Sequence, residues 1–156
     1  MIRFAEPADV PVLLALVREL AAYERAADQV AATPELLHEA LFGPKPAAEA
    51  LIAERDGAAV GMALFFHNFS TWTGRRGLYL EDLYVTPAAR GAGVGKALLK
   101  RLAEIAVARG CARFEWAVLD WNRPAIDFYR AMGAETMDEW RICRVRGEAL
   151  AALARR

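Results

Sequence analysis

Apolar positions recur with two periods along this chain, and each change of period marks an element boundary. Ile2–Phe4 reads as a short strand. From Asp9, a candidate N-cap, Val10, Leu13, Val17 and Leu20 follow helical spacing to an end near Tyr23-Glu24-Arg25. Thr33-Pro34-Glu35 is a second helix start, with Thr33 as cap and Pro34 where its missing N–H costs nothing. That helix stops before Gly43-Pro44. The period then falls to two: residues 50–54 and 59–66 predict a hairpin about Asp56-Gly57, 70–77 a polar loop, and 78–85 a third strand. A helix with Leu98, Leu102 and Ile105 on one face ends at Gly110, and 113–119 predicts another strand. Asn122 caps a further helix, Pro124 lies in its first turn, Gly133 ends it, and 141–145 predicts a last strand. Strands and helices without linker or repeat predict one α/β domain over residues 1–156.

Composition narrows the class. A chain of 156 residues, 56% hydrophobic and 26% charged, can bury a core without metal or disulfide staples. Twenty basic residues balance twenty acidic ones, for a formal net charge of +0. Nucleic-acid binding normally shows a basic excess, so no nucleic-acid partner is expected. The longest apolar run near the N-terminus, residues 12–17, falls short of the ~20 that span a bilayer, and no signal-peptide layout is present. A cytoplasmic protein without a membrane partner is the expectation. Cys111 and Cys143 lack metal-ligand spacing and have only His38 and His67 to join them. No metal is expected, and both thiols read as reduced, buried small hydrophobes.

Between a strand and a helix stands Arg90-Gly91-Ala92-Gly93-Val94-Gly95-Lys96. Glycines there let the backbone approach a ligand, and the helix N-terminus favours an anion. A Walker loop would need glycine where Arg90 stands and Ser or Thr where Ala97 stands; a dinucleotide fingerprint would need glycine at Lys96. Both fail, although Glu115 lies about where a ribose-binding acid would fall. A tight turn without ligand is the alternative.

The pattern that fits is Arg-x-x-Gly-x-Gly, which resembles the acetyl-CoA pyrophosphate loop of the GCN5-related N-acetyltransferases. Leu80-Glu81-Asp82-Leu83-Tyr84-Val85 and Ala117-Val118-Leu119-Asp120-Trp121-Asn122-Arg123-Pro124-Ala125-Ile126-Asp127-Phe128-Tyr129 resemble the diamine acetyltransferase branch. So does Glu19-Leu20-Ala21-Ala22-Tyr23-Glu24, followed by Asp28-Gln29-Val30. Spermidine/spermine acetyltransferases carry an aspartate two residues before the tryptophan of the mid-chain loop. Here Phe69-Ser70-Thr71-Trp72 has Ser70 there, as in the thialysine-type relatives. The resemblance implies a mixed, mostly antiparallel, splayed sheet flanked by helices, and a homodimer.

It also implies roles. Acetyl-CoA would lie along Leu83, Tyr84 and Val85, with its pyrophosphate on residues 90–96 and further contacts from Asn122, Pro124 and Ala125. Glu81 would be the acid nearest the amine, as base or as ammonium anchor, with Asp82 assisting. In a regular strand their side chains oppose, and a bulge would relax this. Tyr129 would be the acid beside the thioester sulfur. For the acceptor, a small primary amine, Tyr23, Glu24 and Trp72 offer aromatic faces and an acid suited to an ammonium. A protein-lysine or N-terminal acetyltransferase and a non-catalytic CoA-binding regulator are the alternatives.

Overall fold

The stretches of period two pair into one five-stranded sheet of order β1-β2-β3-β4-β5, namely Ile2–Phe4, Glu49–Arg55, Ala58–Ser70, Arg75–Val85 and Phe114–Trp116. Neighbours are antiparallel except β4 and β5, which run parallel. The sheet is therefore mixed and mostly antiparallel, as the family resemblance implies. The computed structural model describes residues 1–156, of which Met1–Leu119 form one compact unit and Asp120–Arg156 another.

In the first unit, helices α1 (Val10–Tyr23), α2 (Pro34–Phe42) and α3 (Val94–Ala108) carry apolar stripes that the sheet covers. Leu13 and Leu16 of α1 and Leu41 of α2 pack with Ala50, Ile52, Met62 and Tyr84. Strand alternation sends the intervening residues to the other face, toward α3. There a Cβ on Gly61 would lie 3.2 Å from Val94 and 3.4 Å from Leu98, so only glycine lets α3 seat this closely on β3. The β2–β3 turn forms at Asp56-Gly57, both with positive φ, as a two-residue hairpin requires. Thr33 caps α2 as expected, its hydroxyl accepting from Leu36 N–H at 3.2 Å. Asp9 precedes α1 but does not cap it. Its carboxylate accepts from the Arg3 guanidinium at 2.7 and 2.9 Å and from Glu6 N–H, a charge-assisted exchange for the helix N–H.

Several boundaries differ from the sequence reading. Half of the expected loop over 70–77 is strand, with only 71–74 left as a turn, because β3 and β4 stay paired out to Ser70 and Arg75. The expected strand over 113–119 shrinks to three residues, Phe114–Trp116, which pair with Leu78, Tyr79 and Leu80 of β4. In the second unit, α4 spans Arg123–Ala131 under the Asn122 cap. Residues 141–145 form no strand: alternation alone supplies no partner, and Ile142 is 75% exposed. Instead a helix the pattern did not announce, α5, runs over Gly147–Ala154. The cysteines are free thiols, but not buried as expected: Cys143 is exposed and Cys111 half-buried. No helix is long and apolar enough to cross a membrane.

Candidate active site

The middle of β4 breaks the regular ladder. Asp82 opposes Leu64 and Leu80 opposes Phe65, so Glu81 has no partner of its own and forms a β-bulge. The bulge shifts the phase of alternation: Leu78 and Leu80 face α3 before it, and Leu83 and Val85 do so after it. Asp82 consequently joins Tyr84 on the α1 side of the sheet. On the opposite edge, the pairing of β4 with β5 ends at Leu80 and Trp116. From Glu81 to Val85, then, β4 is flanked by β3 alone, and a bound chain has backbone to lie against.

Three carboxylates converge at this point. Glu81 is exposed at the bulge, Asp82 is half-buried, and Glu24 caps the C-terminal end of α1. Burial, then the charges of Glu81 and Glu24, push the Asp82 carboxyl up to about 6. Glu24 is likewise raised, first by burial and then by Glu81. A site that holds like charges together in this way is ready for an ammonium.

The glycine-rich turn leads into α3. Gly91 and Gly93 both sit at φ +81°, and a Cβ at either would meet nothing within 4 Å, so the backbone is exposed in a left-handed conformation that glycine favours. Gly93 is the N-cap residue, and Lys96 in the first turn is exposed. Open N–H groups at a helix N-terminus beside a lysine fit a pyrophosphate. The Arg90 side chain turns back onto the sheet: its Nε donates to the Val85 carbonyl at 3.0 Å, and the guanidinium lies 5.5 Å from the Tyr23 ring centroid and 5.4 Å from that of Tyr84. Burial, then the charge of Glu19, push the Tyr84 hydroxyl up, and the nearby Arg90 opposes them. Glu115, the position suggestive of a ribose-binding acid, is tied to the sheet, accepting from Asn68 Nδ2 at 3.4 Å.

In the second unit Asn122 is buried and its Oδ1 accepts from Ala125 N–H at 3.4 Å, so it acts as the expected cap. Pro124 is in the first turn, Ile126 is buried, and Tyr129 is half-buried with its ring 5.6 Å from Phe128.

The fold thus brings Glu24 to Glu81 and Asp82, and Tyr23 to Tyr84 and Arg90. It leaves Trp72 apart: that residue is 81% exposed at the β3–β4 turn. Six residues of strand, roughly 20 Å, separate Arg75 at the turn from Glu81. Sequence reasoning gave no role to Glu19, although it opens the motif that runs to Glu24. The bulge had a signal: apolar positions move from even numbers (Leu78, Leu80) to odd (Leu83, Val85) across Glu81-Asp82.

Relatives agree with this architecture. The chain is 41% identical to the thialysine N-epsilon-acetyltransferase of Sus scrofa, with 99% of this chain and 96% of that protein covered. It is 32% identical to the L-ornithine N5-acetyltransferase of Arabidopsis thaliana, with 97% and 86% covered. Among solved structures, an integron cassette protein from the mobile metagenome of V. cholerae superposes with a TM-score of 0.84 at 28% identity, covering 100% of this chain and 98% of that one. Residues 13–134 match the model of the acetyltransferase (GNAT) family. With the interrupted β4 ladder and the open glycine turn before α3, these matches place the chain in the acetyltransferase (GNAT) family, as an acetyl-CoA-dependent N-acetyltransferase.

Proposed function

We propose that the acceptor is a small molecule bearing a primary amine, of the diamine or lysine-like amino acid class, and that the whole chain serves as one catalytic domain. The observation that carries this is the convergence of Glu24, Glu81 and Asp82 at the β4 bulge. An ammonium entering from solvent meets Glu81 first. Its proton passes to Asp82, whose carboxyl burial and the neighbouring carboxylates push up to about 6. Acetyl-CoA supplies the acyl group already activated as a thioester. Backbone of Leu83, Tyr84 and Val85 holds its pantetheine arm, residues 90–96 hold the pyrophosphate, and Asn122, Pro124 and Ala125 add contacts. Tyr129 delivers a proton to the departing thiolate. The amine gains the acetyl carbon as the C–S bond breaks; of the two protons that the ammonium loses, one leaves through Asp82 to solvent and the other balances the one gained at sulfur. No acyl-enzyme is required, since no Cys or Ser stands beside a His base in the sequence motifs.

Both relatives are named for acetylating the side-chain amine of an amino acid, thialysine or L-ornithine. Ser70 lies where spermidine/spermine enzymes carry an acid, which weakens the hold on a distal ammonium. Purified protein assayed for CoA release should therefore give a higher kcat/KM with a lysine-like amino acid or short diamine than with spermine. A spermine value above every shorter amine overturns this acceptor class. Two free thiols suit a reducing compartment such as the cytoplasm. Exposed Phe69 and Trp72 suit burial in a homodimer, which a mass measurement in solution tests.

A further inference from the structure

The first residue of the glycine-rich loop does not behave as a bare surface cation. Arg90 is anchored at three points, all on the protein itself: Nε on the Val85 carbonyl, the guanidinium against the Tyr84 ring, and the same guanidinium against the Tyr23 ring. Tyr84 belongs to the core, packed with Leu13 and Leu16 of α1. Tyr23 ends α1, one residue before Glu24. Through the Tyr23 ring, Arg90 rests against the last turn of α1. A flexible arginine is thereby ordered at the mouth of a loop whose glycines have no side chains to order it. The same contacts join that loop to the end of the helix that bears the acceptor carboxylate.

We propose that Arg90 is a positioning residue: stacked between Tyr23 and Tyr84, it pre-orders the acetyl-CoA loop and couples it to the acceptor end of α1. The inference rests on the assignment of residues 90–96 to the pyrophosphate. A ring on the acceptor side of the molecule then contributes to cosubstrate affinity, by sparing the loop the ordering of a rotamer-rich side chain on binding. Lysine in place of Arg90 keeps the charge but loses the planar stack and the fork of donors.

The test is a double-mutant cycle read by calorimetric titration of acetyl-CoA with no amine present. Wild type, Tyr23→Leu, Tyr23→Phe, Arg90→Lys and the Tyr23→Leu/Arg90→Lys pair are compared after each shows a native melting transition. Tyr23 is 44% exposed, so its replacement leaves the core intact. Tyr23→Leu should weaken acetyl-CoA binding ~2- to 10-fold, the ordering cost of one such side chain. Tyr23→Phe, which keeps the ring, should stay within about two-fold of wild type, and Tyr23→Leu should have almost no further effect in the Arg90→Lys background. An unchanged Kd in Tyr23→Leu overturns the proposal. So does an equal loss in the wild-type and Arg90→Lys backgrounds, which would make Tyr23 a direct contact, or an equal loss in Tyr23→Phe, which would assign the effect to the hydroxyl. Failure of the wild type to bind acetyl-CoA would instead remove the loop assignment beneath it.

Discussion

Replacing Asp82 with asparagine should make this protein more stable and less active. Folding moves the Asp82 carboxyl from 3.8 to about 6, first by burial and then through Glu81 and Glu24. An acid raised in this way binds more protons folded than unfolded between the two values, so its contribution to stability falls as pH rises through that window. A gap of about two pH units corresponds to roughly 3 kcal/mol, the cost of keeping Asp82 ionised in the folded protein above its folded pKa. Asparagine has nearly the same shape and no charge, and its amide can donate to the neighbouring carboxylates. Urea unfolding followed by circular dichroism at about pH 8 should show Asp82→Asn more stable by up to roughly 3 kcal/mol, about 6–12 °C in a chain of this size. At about pH 4.5, where the wild-type carboxyl is already protonated when folded, the advantage should shrink to roughly 1 kcal/mol. The same substitution should lower kcat/KM by ~10²–10⁴-fold if Asp82 accepts the amine's proton. A variant less stable than wild type at both pH values, or an advantage that does not change with pH, would refute the electrostatic reasoning.

Glu81→Gln removes the larger of the two charges acting on Asp82, so the acidic limb of the kcat/KM profile should move to lower pH; a limb that stays in place means that Glu81 does not set that titration. Tyr129→Phe keeps the ring and removes the hydroxyl, so kcat should fall ~10²–10⁴-fold in steady-state assays with acetyl-CoA affinity little changed. Near-normal kcat in a well-folded variant would return Tyr129 to a packing role. Gly93→Ala forces a side chain onto φ +81°, and should cost about 1 kcal/mol in a melting experiment while weakening acetyl-CoA binding.

Local chemistry was legible without coordinates. The helix start at Thr33-Pro34, the Asp56-Gly57 turn, the Asn122 cap and the Arg-x-x-Gly-x-Gly turn all depend on residues within a few positions of one another, and all formed as read. The family and its cosubstrate were legible for the same reason, because its motifs are short and occur in order. Pairing decisions are different, since a strand exists only if another strand meets it. Residues 141–145 alternate yet form none, and residues 117–119 leave β5 once the ladder to β4 ends at Leu80. The meeting of Glu24 with Glu81 and Asp82 joins the end of α1 to the middle of β4 across a long stretch of the first unit's sequence, and no local spacing encodes it. The same is true of Arg90, which the motif assigns only to an anion-binding loop. Tertiary packing sets it against Tyr23 and Tyr84, because a guanidinium can lie over aromatic rings and donate to a carbonyl while it stays exposed to water.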